Sequence, residues 1–183
     1  MPYYERHLPH WQPEEAWLFI TWRLAGSLPA IPVYETPPAG GRAFVSMHRI
    51  LDRTDTGPTW LKDTRVANLV CELIKQSESA KKLCKPGGYV VMSNHVHLLA
   101  QPLKTSANLT RWVKGASARS ANQILNRTGQ PFWQHESFDH WVRDSREYNR
   151  ILSYIEINPV RAGLVSSPEL WRWSSAASTE TTS

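Results

Sequence analysis

The chain has 183 residues, 41% hydrophobic and 20% charged, a balance that fits one soluble globular domain with its own core and excludes a disordered chain. Lys and Arg outnumber Asp and Glu 21 to 16, and the resulting net charge of +5 favours a polyanionic partner without bearing on the fold. No segment approaches the roughly 20 apolar residues of a membrane span, and the opening MPYYERHLPHW lacks the pattern of an export signal, so a cytoplasmic protein without a membrane partner is expected.

Along the chain, Ala16 to Leu24 alternates large apolar residues with others and predicts a strand, ended by Gly26 and Pro29. The Pro- and Gly-rich stretch from Pro29 to Gly41 predicts an irregular connection with no functional signature. Apolar residues at helical spacing predict helices from Arg42 to Leu51 and from Trp60 to Gln76, the second with a stripe of Leu61, Val66, Leu69, Val70, Leu73 and Ile74. Lys85-Pro86-Gly87-Gly88 reads as a turn, followed by two strands, Tyr89 to Met92 and His95 to Pro102, joined so tightly by Ser93-Asn94 that they form an antiparallel hairpin. A long helix is predicted from Ser106, as N-cap, to Asn126, then an aromatic strand from Phe132 to Val142. A last helix starts at Asp144, runs through Tyr154 and stops before Pro159 or shortly after it, with Gly163 closing the region. This order gives an α+β fold, a ferredoxin-like split βαβ sandwich with helices on an antiparallel sheet. Residues 1–173 form the single expected domain, and the small polar residues from Ser174 to Ser183 read as a disordered tail.

Cys71 and Cys84 stand far apart with no Cys-x-x-Cys, which argues against a disulfide framework and a thiolate zinc site. Nine tryptophans are many for this length; several adjoin basic residues, as in Trp22-Arg23, Arg111-Trp112 and Trp171-Arg172-Trp173, and such pairs could stack bases, although each alone reads as a packing residue.

Two short motifs can carry chemistry. His95 and His97 lie two apart on a predicted strand, so their imidazoles project from one face about 6 to 7 Å apart along the chain and could share one metal; an ordinary buried His-Val-His is the competing reading. Tyr154 and Asn158 lie four apart in SYIEINPV and so share a helix face, placing a phenol and an amide in one site; alternatively Tyr154 packs beside Ile151 and Ile155 and Asn158 ends the helix. The two motifs together would supply a phosphodiester-transfer site.

The stretch YVVMSNHVHLL, followed by FWQHESFDHWVRD and YIEINPVRAGLV, resembles the single-tyrosine transposases of the His-hydrophobic-His (HUH) superfamily. The opening YYERHLPHWQPEEAWLFITWRLA is similar to the REP-associated tyrosine transposases within it, and the resemblance covers Tyr3 to about Trp173. It implies the HUH endonuclease fold, a divalent ion (Mg²⁺ or Mn²⁺) held by His95, His97 and, as third protein ligand, Asn158, and Tyr154 as nucleophile. Tyr148 is the competing phenol, but six residues before Tyr154 it points elsewhere on a helix. The resemblance further implies cleavage and rejoining of single-stranded DNA through a 5′-phosphotyrosine, on palindromic REP-type hairpins, by a monomer. Candidate DNA contacts are Arg6, His7, His10 and Trp11 near the start and Arg111, Lys114 and Arg119 on the long helix; a solvated basic surface is the alternative. His135 and His140 could assist proton transfer, and Glu156 stands where relatives commonly carry another residue. Three rival functions remain open at this point. A hairpin-binding protein that no longer cuts would keep the fold and basic surface; a zinc hydrolase would not need Tyr154; an RNA-binding sheet would carry exposed aromatics where the histidines stand.

Overall fold

The protein's computed structural model describes residues 16–27 and 57–177. The predicted helix at 42–51, the Pro- and Gly-rich connection, and Arg6, His7, His10 and Trp11 lie outside the described residues.

The described elements are strand β1 (Leu18–Arg23), helix α1 (Thr64–Ser79), strands β2 (Cys84–Val91) and β3 (His95–Pro102), helix α2 (Ser106–Ile124), strand β4 (Phe138–Trp141) and helix α3 (Ser145–Arg161). They form an α+β fold around a four-stranded sheet of order β2-β3-β1-β4 in which every pairing is antiparallel. The order places β1 and β3 at the centre, where both their faces must be covered. Because side chains alternate along a strand, the two faces receive different residues of the same segments. Leu18, Ile20, Trp22, Val96, Leu98 and Ala100 enter one core cluster with Val66, Val70 and Ile74 of α1 and Leu109 and Val113 of α2. Phe19 and Leu99 enter a second cluster with Val90, Met92, Val142 and, from α3, Ile151 and Ile155. Two helices thus cover one face, and α3 lies on the other.

Several boundaries differ from the sequence expectation for identifiable reasons. The predicted helix at 60–76 divides: Trp60–Lys62 forms a single 3₁₀ turn, and α1 starts after Asp63, whose carboxylate accepts a hydrogen bond from Arg65 N at 2.9 Å. Likewise Thr105, not Ser106, caps α2, its hydroxyl accepting from Asn108 N at 3.1 Å. The Lys85–Gly88 segment is no turn: it belongs to β2, with Lys85 opposite Gln101, Pro86 opposite Ala100 and an irregularity before Gly88. Its glycines serve close packing, because a Cβ on Gly87 would lie 2.6 Å from Tyr148 Oη and 2.9 Å from a Trp17 ring carbon. The aromatic strand shrinks to Phe138–Trp141, preceded by one isolated bridge between Leu24 and Trp133. Lys114 Nζ donates to the Gln134 and His135 carbonyls, both at 2.8 Å, and so ties this connection to α2.

At α3, Asp144 Oδ1 accepts from Glu147 N at 2.7 Å, and Glu147 Oε2 accepts from Arg143 N at 2.8 Å, a reciprocal cap that fixes the helix start. The helix passes through Pro159 and ends beyond it, where Gly163 adopts φ +69 and Leu164 N donates to the Pro159 carbonyl at 2.9 Å. The packed body also extends past Trp173. Val91 N donates to the Trp173 carbonyl and Ser175 N to the Tyr89 carbonyl, so residues expected in the tail run along the outer edge of β2 and cover it.

Candidate active site

The register of the central strands builds the site. β3 lies against β1 with His97 opposite Thr21 and His95 opposite Arg23, so these four residues share the face that also carries Phe19 and Leu99 and looks toward α3. Both histidines are fully buried, at 0% exposure, which requires that their nitrogens be engaged. His95 Nδ1 lies 2.7 Å from Asn94 Oδ1, and an amide oxygen can only accept, so Nδ1 carries the proton and Nε2 offers its lone pair. His97 Nδ1 lies 2.8 Å from Thr21 Oγ1, a hydroxyl that can donate or accept and therefore suits either tautomer of that ring. The two Nε2 atoms converge to 3.1 Å.

That convergence is what one ion shared by two imidazoles requires, since nitrogen bonds of about 2.0–2.1 Å let both atoms reach a common centre. Where histidines bind a metal, hydrogen bonds to the other ring nitrogen, of the kind Asn94 and Thr21 make here, orient the rings. Among the described residues no group of three His, Cys, Asp or Glu side chains is placed to hold a metal, and the Asn158 amide is a further oxygen donor on the face of α3 that carries Tyr154. Asn158 is 1% exposed, and its Oδ1 is shielded from solvent together with the Tyr154 hydroxyl one helical turn earlier.

Tyr154 is brought to the histidines directly. Its ring lies 5.5 Å from the His97 ring and 6.2 Å from Phe19, which itself stacks on His97 at 5.3 Å. Tyr148 goes elsewhere: it meets the Trp17 ring at 4.9 Å over Gly87, and burial, helped by the Glu156 charge, pushes its phenol pKa up. Arg161, three residues beyond Asn158, holds its guanidinium 5.5 Å from the Tyr154 ring.

The remaining candidates lie apart from this constellation. Arg111 and Arg119 are exposed on α2, whose packed side covers the opposite face of the sheet. Arg111 and Lys114 line a groove of about 840 Å³ between α2 and residues 130–139. His135 is exposed and lies 3.3 Å from Glu136, while His140 Nε2 lies 3.1 Å from Glu147 Oε1. Of the tryptophans beside basic residues, Trp22 is 2% exposed, and Trp171 and Trp173 pack at β2, Trp171 Nε1 donating to the Val91 carbonyl and Trp173 Nε1 to Asn68 Oδ1, whereas Trp141 is 47% exposed. Sequence reasoning missed Thr21, Asn94 and Arg161. Alternation already set Thr21 on one face with Phe19, but only the strand register reveals His97 as its neighbour.

Comparison with known proteins agrees with this architecture. A Haemophilus influenzae protein described as a REP-associated tyrosine transposase is 26% identical in an alignment of 96 positions that covers 46% of this chain and 54% of that protein, so the chain spans about half of that relative's length. The solved structure of a REP-associated tyrosine transposase bound to a REP hairpin superposes with a TM-score of 0.56 at 17% identity, covering 95% of this chain and 82% of that one, a likeness of fold. The sequence model of the IS200-like transposases matches residues 53–158, more than half of the chain and the whole span from α1 to Asn158. With a matching sequence model that takes in both histidines, Tyr154 and Asn158, and with the fold in agreement, the chain belongs to the IS200-like transposase family.

Proposed function

We propose that the protein is a metal-dependent single-strand DNA endonuclease and strand transferase that acts on REP-type hairpins in the cytoplasm, as a monomer, with Tyr154 as nucleophile. The observation that carries this reading is the convergence of His95 Nε2 and His97 Nε2 to 3.1 Å beside the Tyr154 ring. His95, His97 and Asn158 would hold a divalent ion, Mn²⁺ suiting the imidazoles and Mg²⁺ being the oxygen-preferring alternative. When bound, the ion supplies Lewis-acid stabilisation of charge on the non-bridging oxygens of the scissile phosphate.

The chain's own residues do the rest. A phenol with an ordinary pKa near 10 is a weak nucleophile at neutral pH, so placement and proton removal matter most. Packing of Phe19 and His97 against the Tyr154 ring restricts where its hydroxyl can point. In the forward step Tyr154 Oη bonds to phosphorus and the bond to the 3′ oxygen breaks, leaving a 5′-phosphotyrosine and a 3′-hydroxyl that has taken up a proton. In the reverse step a 3′-hydroxyl attacks, the phosphotyrosine bond breaks and the phenol is regenerated. The phosphodiester energy stays in the covalent link, so no nucleotide cofactor enters. The REP hairpin as substrate is supported by the relatives, one described as REP-associated and one solved with a REP hairpin.

The test is incubation of the purified chain with labelled single-stranded DNA carrying a REP-type hairpin and unpaired flanks, with Mn²⁺ or Mg²⁺, followed by denaturing electrophoresis. A protein–DNA adduct that needs metal, disappears with EDTA and falls at least about a thousandfold in Tyr154→Phe is the expected result, with Tyr148→Phe near the parent rate. Tight hairpin binding without adduct under either metal would leave a binding protein, and cleavage that survives Tyr154→Phe would leave a hydrolase with water as nucleophile.

A further inference from the structure

The site has two basic side chains at its margins that the chemistry above does not use. Arg23 ends β1 directly opposite His95, so it lies on the histidine face, and it is only half-buried. Arg161 closes the helical stripe Tyr154, Asn158, Arg161, at spacings of four and three residues, and its guanidinium stands 5.5 Å from the Tyr154 ring. Neither makes an ion pair among the described residues. By contrast Arg65 is paired with Asp63 at 2.7 Å and Arg150 with Glu147 at 3.2 Å, while the exposed Arg111 and Arg119 stand on α2, on the far side of the sheet. A guanidinium is weakly hydrated, always charged and presents a fork that matches two phosphate oxygens.

We propose that Arg23 and Arg161 form a phosphate clamp, each binding one phosphate of the single strand that crosses the site, and so hold its backbone in place against Tyr154. The geometry favours this over a general basic surface because the two cations come from different elements, β1 and α3, one opposite His95 and the other beside the Tyr154 ring. A stripe of basic residues along one helix would track a strand past the site; a pair drawn from the sheet and the helix brackets it. The last turn of α3 also benefits from a cation, so part of the effect of replacing Arg161 is structural. The inference rests on the reading of Tyr154 as the nucleophile.

The test is arranged so that the two can fail separately. Binding is measured in a Tyr154→Phe background, where no cleavage intervenes, using hairpin oligodeoxynucleotides that carry one neutral methylphosphonate at successive positions of the unpaired flank. The background chain should lose affinity about tenfold or more when a clamped phosphate is neutralised. Adding Arg161→Ala should cost a similar factor and remove the sensitivity at one position; adding Arg23→Ala should do so for its own phosphate. Lysine at either site should recover part of the affinity, since the charge returns without the fork, and it serves as the second variant should alanine disturb folding. If either arginine variant binds every oligonucleotide as the background does, or weakens all by the same factor, the clamp is wrong. Adduct formation by the chain with Tyr154 intact is scored separately, so loss of the nuclease reading would show there and leave the binding scan untouched.

Discussion

The two faces of the sheet are built from the same strands yet do different work. On the face covered by α1 and α2, β1 and β3 contribute Leu18, Ile20, Trp22, Val96, Leu98 and Ala100, all apolar and all nearly inaccessible. One residue out of phase, on the face covered by α3, the same strands contribute Phe19 and Leu99 but also Thr21, His95, His97 and Gln101, four buried polar groups. On the first face β1 and β3 present an unbroken apolar run, and its burial drives folding. The second gives up apolar area to hold imidazoles, and it can do so only because Asn94 and Thr21 satisfy their Nδ1 atoms. Stability and chemistry are thereby separated by one step of strand alternation.

The largest test of that separation sets Ile74→Ala against His95→Ala. Ile74 is 1% exposed in the first cluster, and its truncation should lower the unfolding free energy by about 2–5 kcal/mol, read from urea denaturation, while adduct formation per folded molecule is retained. His95→Ala should do the reverse, abolishing cleavage and leaving hairpin binding largely intact. Equal loss of stability and binding in the histidine variant would make His95 a packing residue and erase the contrast.

A sharper probe keeps shape and removes one hydrogen bond. Thr21→Val deletes the hydroxyl 2.8 Å from His97 Nδ1, and Mn²⁺ affinity, followed by titration calorimetry, should fall about 10–100-fold with little change in fold. An unchanged affinity would show that Thr21 does not orient His97 toward a metal.

The smallest effect concerns the start of α3, which sets the helix that carries Tyr154. Burial pushes the Glu147 carboxyl up, but the Arg143 N–H and the His140 ring outweigh it and hold its pKa below the ordinary value. A carboxylate depressed in the folded state stabilises above its unfolded pKa of about 4.3, and that contribution disappears as pH falls through the folded value. Glu147→Gln should therefore cost about 1 kcal/mol at neutral pH, and unfolding measured below pH about 4 should show a shallower acid decline than the parent. An acid limb identical to the parent's would mean that the cap contributes nothing through this charge.

Local patterns in the sequence determined a good deal. Strand alternation put His95 and His97 on one face, helical spacing put Tyr154 and Asn158 on another, and the order of elements gave the α+β sandwich, because each depends only on the backbone repeat of a single segment. What the tertiary structure alone decided was everything that needs two segments at once. Lys85 to Gly88 carries turn residues yet lies in β2, since its glycines admit the Tyr148 and Trp17 rings that another part of the chain brings there. Ser174 and Ser175 look like tail but hydrogen-bond along the β2 edge, because an open strand edge can bind any backbone that reaches it. Thr21 became the partner of His97, 76 residues away, and Arg23 the neighbour of His95 only through the register of β1 on β3, a pairing that no local period encodes. The residues of the site were thus legible one motif at a time; their meeting at one point was settled by the sheet.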